Sequence, residues 1–135
     1  FALADGEGTR SLEIALEKVG SAGHSLVGTP DDRGYGAVEV TKRRGDALVE
    51  EAGYPDSTVL KIDVEGTEHE VIDGLRRALS RPECRLVYCE VHPEHLRMAG
   101  QSVADVRERL EACGFDVENR SVRTGQPFLR AEKTS

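Results

Sequence analysis

The chain has 135 residues, enough for one domain with a sizeable core, and its 38% hydrophobic and 32% charged content without tryptophan predicts a soluble globular fold with an aliphatic interior. Its 25 acidic against 18 basic residues leave a net charge of −7, the wrong sign for a nucleic-acid partner, whose phosphates call for a basic surface. No run approaches the ~18 apolar residues of a membrane span, and Cys84, Cys89 and Cys113, with no Cys-x-x-Cys pair, predict reduced, buried thiols in a cytoplasmic setting.

Residues 1–4 predict a short strand, followed by a turn at Asp5-Gly6-Glu7-Gly8. Residues 11–16 alternate, with Leu12, Ile14 and Leu16 on one face of a half-buried strand. Residues 20–36, with five glycines and Pro30, predict a long loop. Val38 and Val40 then mark a strand over 37–41, and Asp46 is placed to cap a short helix ending near Gly53.

Residues 59–64 form an apolar run broken only by Lys61 and Asp63, as in a buried strand. Gly66 breaks it and Thr67 is placed to cap a helix running to Leu79, with Val71, Ile72, Leu75 and Leu79 as its apolar stripe and Pro82 as its stop. Residues 85–91 predict the next strand, closed by His92-Pro93. Ser102 with Asp105 reads as a capping box for a helix that buries Val103, Val106, Leu110 and Cys113 and ends at Gly114. Residues 115–122 and 127–131 predict a final strand pair around Thr124-Gly125. This order predicts an α/β fold with a mostly parallel sheet and a C-terminal antiparallel hairpin.

In such sheets ligands bind beyond the carboxyl ends of the strands. Asp63 and Glu65 lie at one such end, Glu90 and His92 at the end of the strand that follows, and two parallel strands joined by one helix are usually neighbours. Four side chains suited to proton transfer or ligation are therefore expected around one crevice. An acid inside a buried strand is costly without a purpose, which favours Asp63 as functional. Glu68, Glu70 and Asp73 read as a solvated helix face, and His69 as first-turn surface. His24 and His95 have no partner legible in the sequence. Gly34-Tyr35-Gly36 follows no apolar strand and opens no helix, so it does not make a phosphate loop.

The run Lys61-Ile62-Asp63-Val64-Glu65-Gly66-Thr67-Glu68-His69-Glu70-Val71-Ile72-Asp73-Gly74 closely resembles the signature of the FkbM-type methyltransferases. Tyr88-Cys89-Glu90-Val91-His92-Pro93 sits where that family has its next strand, and Ala2 to Asp5 with Gly8 and Leu12 resembles the preceding strand and hairpin. The resemblance implies a Rossmann-like fold and methyl transfer from S-adenosylmethionine to a hydroxyl of a sugar or secondary metabolite. It also implies a glycine-rich cofactor strand and a second strand that this sequence lacks, so residues 1–135 are expected to be a single, incomplete methyltransferase-like domain. Two sheet edges would then lie open to self-association.

Three roles compete for the acidic crevice. In the first, Asp63 is catalytic and faces both cofactor and acceptor hydroxyl, Glu65 lies on the cofactor side, and His92 or Glu90 takes the acceptor's proton. In the second, Asp63, Glu90 and His92 hold a divalent metal. In the third, Asp63 only caps the next helix, Glu65 forms a nearby salt bridge, and Glu68 and Glu70 favour the helix N-terminus through its dipole. Two further classes stay open: a non-catalytic binding module that keeps the scaffold, and a metal-dependent hydrolase built on Asp63, Glu90 and His92.

Overall fold

The computed structural model of the chain describes residues 1–14, 36–121 and 126–134. Its strands form two sheets. The first, in the order β1-β3-β2, contains β1 (Ala2–Ala4), β2 (Gly8–Ile14) and β3 (Gly36–Arg44). The second, in the order β4-β5-β7-β6, contains β4 (Val59–Asp63), β5 (Leu86–Glu90), β6 (Asp116–Asn119) and β7 (Phe128–Glu132). The helices are α1 (Gly45–Ala52), α2 (Glu68–Gly74), α3 (Arg76–Ser80), α4 (Pro93–Met98) and α5 (Val103–Ala112).

The α/β class agrees with the sequence, but the mostly parallel sheet does not. β1–β3 and β4–β5 pair in parallel, while β2–β3, β5–β7 and β6–β7 are antiparallel. A parallel pair of consecutive strands needs a crossover, and only β4 and β5 are linked that way, through α2 and α3. The C-terminal antiparallel pair is present as β6 and β7. Among the described residues the strands do not join into one Rossmann-like sheet.

The core forms where α2, α3, α4 and α5 cover the second sheet, with Ile72, Leu79, Val87, Leu96, Leu110 and Leu129 all at 1% exposure or less. The predicted stripe Val71, Ile72, Leu75 and Leu79 is buried throughout. So are Cys84, Cys89 and Cys113, all as free thiols. Ser102 and Asp105 form the predicted capping box, with the Ser102 N–H donating to Asp105 at 2.7 Å. α4, six residues long, is too short for helical periodicity to mark it in the sequence. The long glycine-rich loop, Leu16, His24 and the Thr124-Gly125 turn lie outside the described residues.

Two cap assignments change. Neither Asp46 nor Thr67 caps its own helix through its side chain. Asp46, buried at 4% exposure, accepts instead from the backbone N–H groups of Arg77 and Ala78, each at 2.9 Å. In an uninterrupted helix those two donors would serve residues 73 and 74. Drawn away by Asp46, they leave the expected single helix split at Leu75 into α2 and α3. Gly74 sets the other side of this joint, because a Cβ there would lie 2.0 Å from the Ala4 carbonyl oxygen of β1. Asp46→Ala would strand two amide donors beside the core. It is expected to lower unfolding stability by about 1–3 kcal/mol in urea titration, with both sheets retained.

Candidate active site

The register of β4 and β5 aligns Asp63 directly with Glu90. One residue beyond Glu90 the chain leaves the sheet, and His92 stands just before Pro93, the first residue of α4. One ligand-capable atom from each of Asp63, Glu90 and His92 lies within 4.8 Å of the other two. The structure thus brings together three of the four side chains singled out by sequence. The fourth, Glu65, approaches from the turn after β4, its Oε2 3.6 Å from His92 Nε2 and 3.8 Å from His95 Nδ1.

Asp63 does not sit inside a buried strand, contrary to what its apolar neighbours suggest. β4 is an edge strand whose residues alternate, with Ile62 buried and both Lys61 and Asp63 exposed. Asp63 stands 42% exposed with the Lys61 ammonium 3.0 Å away. Water and a counter-ion offset its charge, so its placement, not its burial, marks it out.

The residue that sequence reasoning missed is Glu68. It was expected on a solvated face and is instead fully buried. Its Oε1 lies 2.8 Å from His92 Nδ1 and accepts from the backbone N–H groups of His92 (3.2 Å) and Gly66 (3.3 Å). Gly66 adopts φ 92°, a left-handed conformation that suits glycine, and so turns the chain back to let the first residue of α2 reach under its own loop. A signal existed: Glu68 precedes Val71, Ile72, Leu75 and Leu79 by three, four, seven and eleven residues, one turn back along the apolar stripe. His69 is likewise buried rather than surface-exposed, and burial lowers its pKa. Glu70 pairs with Arg10 at 2.6 Å, and Asp73 bridges Arg76 and Arg109 at 2.7 and 3.0 Å.

The Glu68 hydrogen bond raises the pKa of His92 above its ordinary value; burial works against this, and the nearby Glu65 charge adds to the rise. With Nδ1 engaged by Glu68, Nε2 is the nitrogen left for chemistry. Cys89 lies behind the site, and burial drives its thiol pKa far up, which removes it as a nucleophile.

Two depressions flank the cluster. A cleft of about 610 Å³ lies between β1 and β4, lined by Phe1, Leu3, Leu60, Asp63, Glu65 and Leu75 among others. Each of these strands is the terminal strand of its sheet. A second depression, of about 470 Å³, is lined by His92, Pro93, Glu94, His95, Arg97 and Gln126.

Residues 2–117 match the family described as the methyltransferase FkbM domain. The chain belongs to the FkbM methyltransferase family. The hexuronic acid methyltransferase AglP of Haloferax volcanii is 31% identical over 94 residues, which cover 70% of this chain and 36% of that protein. The chain therefore matches about a third of that relative's length. No solved structure gives a significant match. Among the described residues, no helix is long and apolar enough to cross a membrane.

Glu68→Ala would strip His92 Nδ1 and the His92 backbone N–H of their acceptor, while Gly66 keeps the Val64 carbonyl at 3.2 Å. It is expected to cost about 3–5 kcal/mol of stability by urea titration, and Glu68→Gln, which keeps the shape and one acceptor, distinctly less.

Proposed function

We propose that this chain serves S-adenosylmethionine-dependent transfer of a methyl group to a hydroxyl of an acidic sugar. The observation that carries the reading is the meeting of Asp63, Glu90 and His92 within 4.8 Å at the ends of two paired parallel strands, between two depressions. Family membership supports the reaction class. The relative's name, a hexuronic acid methyltransferase, supports the acceptor class.

In the transfer, the acceptor oxygen attacks the methyl carbon in line with the bond to sulfur. That bond breaks, the sulfonium becomes a neutral thioether, and the hydroxyl loses its proton. The protein's task is to align the two partners and to handle that proton. Asp63 and Glu65 line the larger cleft, where their negative charge suits a sulfonium cofactor. The acceptor would occupy the smaller depression with its hydroxyl turned to Glu90 and His92. Arg97, exposed on α4 in that depression, offers a guanidinium to a uronate carboxylate.

The test is methyl transfer from labelled S-adenosylmethionine to hexuronic-acid-containing acceptors, preceded by calorimetric titration with the cofactor alone. Asp63→Ala is expected to reduce turnover by about 100-fold or more, and full activity in that variant would refute the assignment. Arg97→Ala is expected to raise KM for a uronate acceptor by about 10–100-fold. It should change KM for the corresponding neutral sugar little, and equal effects on both would remove Arg97 from acceptor recognition.

A further inference from the structure

We propose that Asp63, Glu90 and His92 form a binding site for a divalent cation of the magnesium and manganese class, held in shape by the buried carboxyl of Glu68. Two carboxylates and one imidazole are the donor set: hard oxygen ligands suited to magnesium or manganese, with one nitrogen that tilts the preference toward manganese. Around a cation with ligands at about 2.0–2.2 Å, donor atoms stand roughly 3–4.3 Å apart. The present limit of 4.8 Å needs only a small inward movement, chiefly of the exposed Asp63 toward the half-buried Glu90 and His92.

Glu68 is the second, independent observation. A ligating histidine almost always gives its other ring N–H to a carboxylate or carbonyl, which fixes the ring and the tautomer. Glu68 makes this contact at 2.8 Å to His92 Nδ1, from a position with no solvent exposure. It also holds the His92 backbone N–H, so ring and main chain are set by one oxygen. Its other oxygen, Oε2, is buried with no hydrogen-bond partner among the described residues. A carboxyl placed at such cost is explained by the ring it orients.

Lys61 supplies the competing charge. Its ammonium sits 3.0 Å from Asp63, and with its side chain 64% exposed it can swing into water as a cation enters. In the methyl-transfer reading, on which this use of the site rests, the cation would lower the pKa of the acceptor hydroxyl, the task otherwise left to His92 as a base. Binding itself does not depend on that reading.

The experiment is titration of the chain with Mn²⁺, followed by the loss of the free-ion electron paramagnetic resonance signal, with Mg²⁺ as competitor and no cofactor present. One saturable site per chain is expected. Asp63→Asn, Glu90→Gln and His92→Ala should each weaken it at least tenfold, and Glu68→Gln by about 10–100-fold through a loosened ring. Lys61→Met removes only a surface ammonium and should tighten binding several-fold, so the proposal stays testable even if His92→Ala fails to fold. Absence of saturable Mn²⁺ binding up to millimolar concentration would overturn the site. So would binding that ignores all four substitutions, or that weakens in Lys61→Met. Methyl transfer undiminished in excess chelator would overturn the cation's role and leave the methyltransferase reading standing. Mn²⁺ binding without cofactor affinity would do the reverse.

Discussion

The buried contact between Glu68 and His92 is the constraint on which the site depends. It ties the turn after β4 to the segment between β5 and α4, two places 24 residues apart in the chain. Without it, a buried carboxyl would have no charged partner and His92 would keep only the longer contact to Glu65, at 3.6 Å. With it, a single carboxyl oxygen gathers a ring nitrogen and two backbone donors and closes the bottom of the crevice. Burying such a group is expensive unless every strong donor around it is used. That expense is why its partner is held in one orientation.

The parallel pairing of β4 with β5 supplies the other half of the arrangement. Register alone places Asp63 opposite Glu90 at the carboxyl ends, and edge position leaves Asp63 open to solvent and to Lys61. The rigid floor therefore carries an exposed, adaptable rim. Glu68 and the His92 backbone cannot move without loss of buried hydrogen bonds, whereas Asp63, Lys61 and Glu65 can adjust to a ligand. The two depressions on either side of His92 give that rim two neighbours, one bordered by β1 and β4 and one by α4.

Much of this was legible in the order of residues. The apolar run at 59–64, the stripe from Val71 to Leu79, the Ser102–Asp105 box and the C-terminal strand pair all followed from local periodicity and turn chemistry. Asp63, Glu90 and His92 were legible as a group because adjacent parallel strands bring their ends together. What failed did so for identifiable reasons. Asp46 was read as a local cap, but its carboxylate finds stronger unsatisfied donors 31 and 32 residues away at the start of α3. Glu68 was read by residue type as solvated, although its helical phase put it on the buried stripe. The sheet was read as mostly parallel because alternating strands and helices suggest crossovers, whereas β2 returns directly along β3 and β7 lies antiparallel against β5.

By itself the sequence determined the family, the α/β class, the candidate trio and the aliphatic core, because each is written in contiguous residues or in fixed helical and strand periods. Only the tertiary structure decided which acids are buried and which exposed, which nitrogen of His92 is engaged, and that the strands fall into two mixed sheets. Those properties depend on partners far away in the chain. A carboxylate's environment is set by what packs on it, and no local pattern records the donors that the rest of the fold has left unpaired.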